Sequence, residues 1–465
     1  MNGPSVMLND RKRFVCAVAM TAVFLLLAGG ANALANTVWC VPTASLNPAC
    51  TALTTKPHIQ DAVSLAAPQD VIVVGPGYYN ETVAITVPYF TIMGAQAGKD
   101  ARDDRHDTSK ESIVDASGSP TGSGGGAAFL VGSGASNVII DGFTIEGGTN
   151  GATAYASGIF VKGAQSTQIL NNIIRNNAVG VDFFGAASNA LVEYNLFQAN
   201  NKGAAGSTDT NFAGMAGFGI AEYAGIGQSV ITENEFKGNW AAAVALYAAS
   251  FVEVTKNTSK NDGSFAVFGP GTFSCFFSHN QGQDFGAQGF LPIPQTTSPV
   301  HADAAIDIGG SVQLHINDND LEEGKTPGYN GIAFSSIFTG TPVSVHCQVS
   351  NNRIKRFAAN GIVAETTTPL PGTGTLVESS ISGNDVEDNG NDGILIEEGA
   401  PNLFNSLVDN ETEGNHTNDC EDDTHLLPGA PFFGTAGTYN TWFNNIGRLS
   451  VPAGLCAPGS GHHHD

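Results

Sequence analysis

One asparagine-centred pattern constrains this chain more than any other feature. An apolar residue stands three positions before an Asn, and a second apolar residue often stands two positions after it. The pattern fits Ile169/Asn172/Ile174, Val192/Asn195/Phe197, Ile231/Asn234/Phe236, Val254/Asn257 and Phe277/Asn280. It recurs at Ile316/Asn319/Leu321, Val349/Asn352/Ile354, Ile381/Asn384/Val386 and Leu407/Asn410. Successive Asn residues are 23, 39, 23, 23, 39, 33, 32 and 26 apart, so the base period is 23 and the longer gaps are one unit plus an insertion. A unit this short cannot bury an apolar face alone, and must stack on copies of itself.

A second pattern lies between those asparagines. It reads Gly158-Ile159-Phe160-Val161-Lys162, Gly180-Val181-Asp182-Phe183-Phe184 and Gly219-Ile220-Ala221-Glu222-Tyr223, with later copies at Gly331, Gly361 and Gly393. Each alternates with period two, the signature of a strand with one buried face. Three short strands per coil give an all-β parallel β-solenoid. Stacked Asn side chains at one corner then bond the backbone of the next coil, as stacked Asn do in cross-β structures. The 57 glycines suit a chain that turns this often, since Gly adopts positive φ without strain.

These repeats resemble those of right-handed parallel β-helix proteins of the pectin-lyase-like superfamily, in the short-repeat form of exported bacterial proteins. The segment from His58 to Ala66, followed by Asp70 to Tyr79, is similar to that group's capping helix and first coil. Pro57 suits the first helical position, and Ile59, Ala62, Val63 and Ala66 form one apolar stripe to cover the open end of the core. The resemblance spans roughly residues 57–446 and implies the fold. It leaves activity open, because this architecture hosts lyases, hydrolases, epimerases and non-catalytic surface proteins. Arg353-Ile354-Lys355 spells a polygalacturonase tripeptide, but the paired aspartates and Gly-His-Gly that accompany it are missing. The Asp-Pro-His-type motif of mannuronan epimerases is missing too.

Residues 1–35 read as a signal peptide: Arg11-Lys12-Arg13, an apolar run from Phe14 to Ala28, and Ala33-Leu34-Ala35 as the cleavage site. The apolar run is too short for a membrane span, and no membrane insertion is expected. The mature chain is expected to be secreted or periplasmic. It divides into a disulfide-clamped segment 36–56, a β-helix domain 57–446 with its cap, and a tail 447–465. Locality pairs Cys40 with Cys50 and Cys420 with Cys456. Cys275 and Cys347 share one ladder position with Leu314 between them, two coils apart. That separation of about 9.6 Å exceeds what a disulfide spans, so two buried free thiols are expected.

The net charge of −24 argues against nucleic acid or an anionic membrane as partner. The charge is uneven: residues 151–300 carry 6 basic and 9 acidic residues, and residues 301–465 carry 5 and 22. Equivalent positions stack about 4.8 Å apart. The fourth residue after the strand Gly therefore reads Lys162, Phe184, Tyr223, Tyr247 and Phe268 up the outer face, a row of rings suited to sugars or a satellite core beneath insertions. Three positions after the repeat Asn, also outward, come Arg175, Gln198, Lys237, Lys260 and Gln283, then Glu322, Lys355, Glu387 and Glu413. Cations and rings coincide in the middle coils, which is a solvated face or a groove for an acidic polysaccharide. Insertions 202–217 and 284–303 leave at the same corner and would wall that groove.

Proton abstraction next to a uronate carboxylate needs a base and a cation to hold the enolate. Lys237, Lys260, Tyr223, Tyr247 and His301 supply candidates, and Asp182 points outward at one end of the row. Glu222 falls at an inward position, as a general acid or as the mark of a bent strand. A hydrolase would need two carboxylates roughly 5–10 Å apart, from Asp182, Glu222, Asp284 and Asp303. Phe184, Tyr223, Tyr247, Phe268 and Arg175 are the substrate-binding candidates. Asp318, Asp320 and Glu322 form an oxygen-rich stretch that suits Ca²⁺ or a plain solvated edge. Three readings stay open: an exported protein that binds and modifies an acidic polysaccharide by β-elimination or epimerisation, a non-catalytic carbohydrate-binding or surface protein, and a glycoside hydrolase.

Overall fold

The computed structural model describes residues 36–42, 50–102, 105, 107–117, 126–149, 156–200, 217–223, 227–286, 304–324, 326–335, 343–366, 375–398, 402–426 and 434–458. The leader, His301 and Asp303, and nearly all of both insertions lie outside them. Three parallel sheets wind through the described residues, of 14, 12 and 13 strands. One coil shows the plan. Gln168–Leu170 lies in the first sheet, Ile173–Arg175 in the second and Val179–Phe184 in the third, and each pairs in parallel with its equivalent one coil on, Leu191–Glu193, Leu196–Gln198 and Phe218–Tyr223.

The corners explain how so short a coil closes. The residue before each ladder Asn is left-handed: Asn171, Tyr194, Glu233, Lys256, His279 and Asp318 all have φ between 53° and 59°. Most are neither Gly nor Asn, so each carries local strain that the neighbouring hydrogen bonds must offset. The Asn side chains provide those bonds. Asn257 Oδ1 accepts from the backbone and side-chain amides of Asn234 (2.9 and 3.0 Å), while its Nδ2 donates to Ile231 O (2.9 Å) and Asn280 Oδ1 (3.1 Å). The ladder extends one coil past the sequence repeat, to Asn445, which accepts from Asn410 at 3.0 Å.

A second ladder, five residues after the first, was not apparent from the repeat. Asn177, Asn200 and Asn239 repeat the bonding at the corner between the second and third sheets. Asp262 ends that run, accepting from Asn239 N (2.6 Å) and from Ser259 Oγ (2.6 Å). Fully buried, its carboxyl is raised to about 7 by loss of solvent.

Inward positions of all three sheets fill one continuous apolar core, including Ile169, Phe236, Phe265, Phe277 and Phe334. Helix α1, Ile59–Leu65, covers its N-terminal end through Ile59, Ala62 and Val63. His58 is the N-cap, which puts Pro57 one position outside the helix. The first-turn amides are satisfied instead by Glu81, whose carboxylate accepts from Ile59 N (3.0 Å) and Gln60 N (2.9 Å). Disulfides join Cys40 to Cys50 and Cys420 to Cys456, with Cα separations of 5.8 and 6.2 Å. Cys275 and Cys347 are free and buried, with Leu314 between them on the ladder, and burial pushes both thiols up to about 12.

Candidate functional site

The outer face of the third sheet carries two ladders. The first reads Phe160, Asp182, Ala221, Ala245, Val267, Asp307, Ala333 and Val363. The second reads Lys162, Phe184, Tyr223 and Tyr247 in register, and Gly269 takes the next place. Two acids on one ladder thus bracket three small apolar residues.

Phe268 is not part of the outer row. It pairs with Leu246, not Tyr247, and is fully buried in the core. The slip has a local cause. From Asn239 three residues lead to Ala242, whereas from Asp262 only two lead to its partner Ser264, because Gly263 takes the turn. A Cβ on Gly263 would lie 2.2 Å from Trp240 O. The place expected for an aromatic ring holds Gly269, and the Tyr247 ring lies across it, 2.2 Å from where a Cβ would stand.

The middle coils are not an open platform. Ala221, Ala245, Val267 and Tyr247 are buried and form, with Val179, Phe218 and Ala242, an apolar cluster separate from the core. The exposed part of the row is its beginning: Lys162 is exposed and Phe184 half-buried, its ring 6.3 Å from that of Phe160. Asp182 sits beside them, buried. Of Tyr223 only the backbone is described, and the structure carries no description of His301.

Asp307 escaped the sequence reading because its strand, Ala304–Ile308, lacks the Gly-Ile signature. It accepts a hydrogen bond from Ser335 Oγ. Asp182 and Asp307 are four coil steps apart, about 19 Å. Glu222 faces inward on an unbent strand, between Phe183 and Leu246 on the ladder, and both its oxygens lack a hydrogen-bond partner. Desolvation raises it to about 8. Fully buried, it cannot reach a ligand on the outer face.

The predicted cation ladder is in register throughout, but on the outer face of the second sheet. Its cations have acidic partners. Arg175 meets Glu146 at 2.8 Å, Lys237 meets Glu235 at 2.6 Å, Lys260 meets Asp284 at 3.9 Å, and Lys355 meets Glu387. Lys237 and Lys260 therefore do not join Asp182 and Tyr247, which belong to the third sheet. The acidic stretch is likewise engaged: Asp320 pairs with Arg353 (3.0 Å) and Glu322 with Arg356, while Asp318 lies 3.9 Å from His279. Among the described residues no cluster of three acids, histidines or cysteines is arranged to hold a metal.

A cavity of about 510 Å³ lies away from this face, lined by Gln96, Lys99, Asp100, Arg105, Lys110 and Glu111 among others. Its charges serve the segment they stand on: Arg105 pairs with Glu111 and Lys110 with Asp107 (2.9 Å). The same segment is tied across the coils by Arg102, bonded to Asp100 (2.7 Å) and Glu233 (3.0 Å) over the Tyr194 ring. These pairs brace the segment against the coils.

The family described as right handed beta helix region matches residues 80–259. Two solved structures are similar over most of the chain. The A-module of the mannuronan C-5 epimerase AlgE6 of Azotobacter vinelandii is 14% identical, with 77% of this chain and 89% of that one covered and a TM-score of 0.53. The catalytic unit of a thermostable GH87 α-1,3-glucanase of Streptomyces thermodiastaticus is 13% identical, with 86% and 64% covered and a TM-score of 0.54. No curated protein matches in sequence. The chain is a right-handed parallel β-helix of the pectin-lyase-like fold.

Proposed function

We propose that this is an exported protein that binds an acidic polysaccharide on the outer face of the third sheet and removes a proton next to a uronate carboxylate, as a lyase or epimerase does. The observation that carries the reading is the block Phe160, Lys162, Asp182 and Phe184 on two adjacent coils, which puts an aromatic ring, a cation and a carboxylate on one face. Phe184 offers the apolar surface a sugar ring needs. Asp182 is the base, and an electropositive neighbour favours the negative charge that develops on the substrate. Two similar folds that act on polysaccharides, an epimerase and a glucanase by their names, support a carbohydrate substrate. The two disulfides and the basic-then-apolar leader support export.

Hydrolysis fits less well, since about 19 Å between Asp182 and Asp307 far exceeds the separation a glycosidase pair needs. Binding without turnover is the second reading, favoured by the burial of Ala245 and Val267 in the middle of the face. The test is incubation with mannuronate, guluronate and galacturonate polymers, following unsaturated product by ultraviolet absorbance and solvent deuterium uptake at the sugar carbon. Either signal, lost in Asp182→Asn, supports the proposal. New reducing ends without unsaturation would contradict it.

A further inference from the structure

We infer that Lys162 selects acidic over neutral sugars at this site. The inference rests on the reading of this face given above. Among the described residues, the thirteen strands of the third sheet carry one basic residue, Lys162. It is exposed, and no carboxylate among the described residues pairs with it. That contrasts with the second-sheet cations, whose charge is met by Glu146, Glu235, Asp284 and Glu387. An unpaired ammonium gives up no existing partner when it meets a carboxylate, whereas a paired one must exchange partners for little net gain.

The register sets the distance at which this charge acts. Lys162 is the Cα partner of Phe184, so a sugar lying on the half-buried Phe184 ring presents its substituents one coil away, about 4.8 Å along the axis. Charge then changes sign along the face. Asp182 stands one coil from Lys162; after the rings come Asp307 with Ser335, then Glu365 and Glu397 just past the ends of their strands and Glu421 within Cys420–Asp422. Carboxylates of a polyuronate are attracted at the Lys162 coil, the one basic position on the described strands of this sheet.

The probe is a polyuronate beside the same polymer with its carboxylates methyl-esterified, titrated against the whole protein at low and moderate salt. Wild type is expected to prefer the free acid, with the preference fading as salt rises. Lys162→Ala should weaken the free acid about 10-fold and leave the ester unchanged, and Lys162→Arg should restore the preference. Equal loss on both polymers, or no loss on the free acid, would overturn the assignment while leaving the site reading intact. If wild type binds neither polymer, the site reading fails and the assignment with it. Circular dichroism of each variant confirms that the coils remain wound.

Discussion

The outer faces of the second and third sheets are built from the same coils and share one core, yet they carry charge in opposite ways. On the second sheet every ladder cation has an acid beside it. Arg353 reaches Asp320 at 3.0 Å and Asp385 at 4.0 Å, and Lys355 reaches Asp385 at 3.4 Å and also Glu387. Burial and the neighbouring Glu387 push Asp385 up to about 6, while Lys355 and Arg353 hold Glu387 low. On the third sheet Lys162 is exposed and, among the described residues, no acid is paired with it, while Asp182 and Asp307, the latter bonded by Ser335, are buried on a ladder that also carries Phe160, alanines and Val267. Neutralised charge makes a soluble surface. An exposed, unpaired ammonium beside an apolar surface leaves an interaction for a ligand to complete.

The largest expected effect separates the faces chemically. Asp182→Asn should lower turnover of a polyuronate at least about 100-fold with an unchanged melting temperature, as loss of a general base does. Equal loss in Lys237→Ala would move the chemistry to the second sheet and break the comparison.

Asn257→Ala acts on both faces at once. It removes the shared acceptor of Asn234 N and Nδ2 and the side-chain donor to Ile231 O, and it leaves Asn280 Oδ1 only the backbone amide of residue 257, all buried. A loss of about 3 kcal/mol in chemical denaturation is expected, since several buried polar groups go unsatisfied together.

Glu222 sharpens the contrast from the inside. Its folded value of about 8 lies above the ordinary 4.5, so the folded state holds the proton more tightly than the unfolded chain. The group's contribution is therefore most favourable below about 4.5 and is lost as the pH rises towards 8. Glu222→Gln should match wild type near pH 4 and exceed it by roughly 4 kcal/mol at pH 8. Cys275, whose thiol feels the Glu222 charge, is the titratable neighbour to monitor, by its reaction with a thiol reagent across the same range. A variant no more stable at pH 8 would mean that the carboxyl finds solvent or a partner.

The smallest effect is expected on the second sheet. Lys237→Ala with Lys260→Ala should cost under about 1 kcal/mol and leave polysaccharide affinity unchanged, because these partly exposed pairs contribute little.

The coil period, the first Asn ladder, the second-sheet register and both disulfides were legible in the sequence because each follows from spacing. What escaped did so for local reasons. One residue fewer between Asp262 and Ser264 turned Phe268 inward, and only the closed turn at Gly263 reveals it. Asp307 lies on a strand without the glycine that flags those at Gly158, Gly180, Gly219, Gly331, Gly361 and Gly393. The second ladder was visible in Asn177, Asn200 and Asn239, five residues after each repeat Asn, but one period masked the other. Glu222 was read as a general acid or as the mark of a bent strand; the register runs on unbroken through it on both sides and keeps it in the core. Which face carries free charge depends on partners from other coils, and periodicity does not encode them.

Hydroxyl-radical footprinting with and without a uronate oligomer tests the division between the faces most directly. Protection of Phe184 and of the peptide bearing Lys162, with Lys237, Lys260 and exposed Phe276 unchanged, is the predicted result. Protection confined to the second-sheet strands Glu235–Lys237 and Thr258–Lys260 would contradict it.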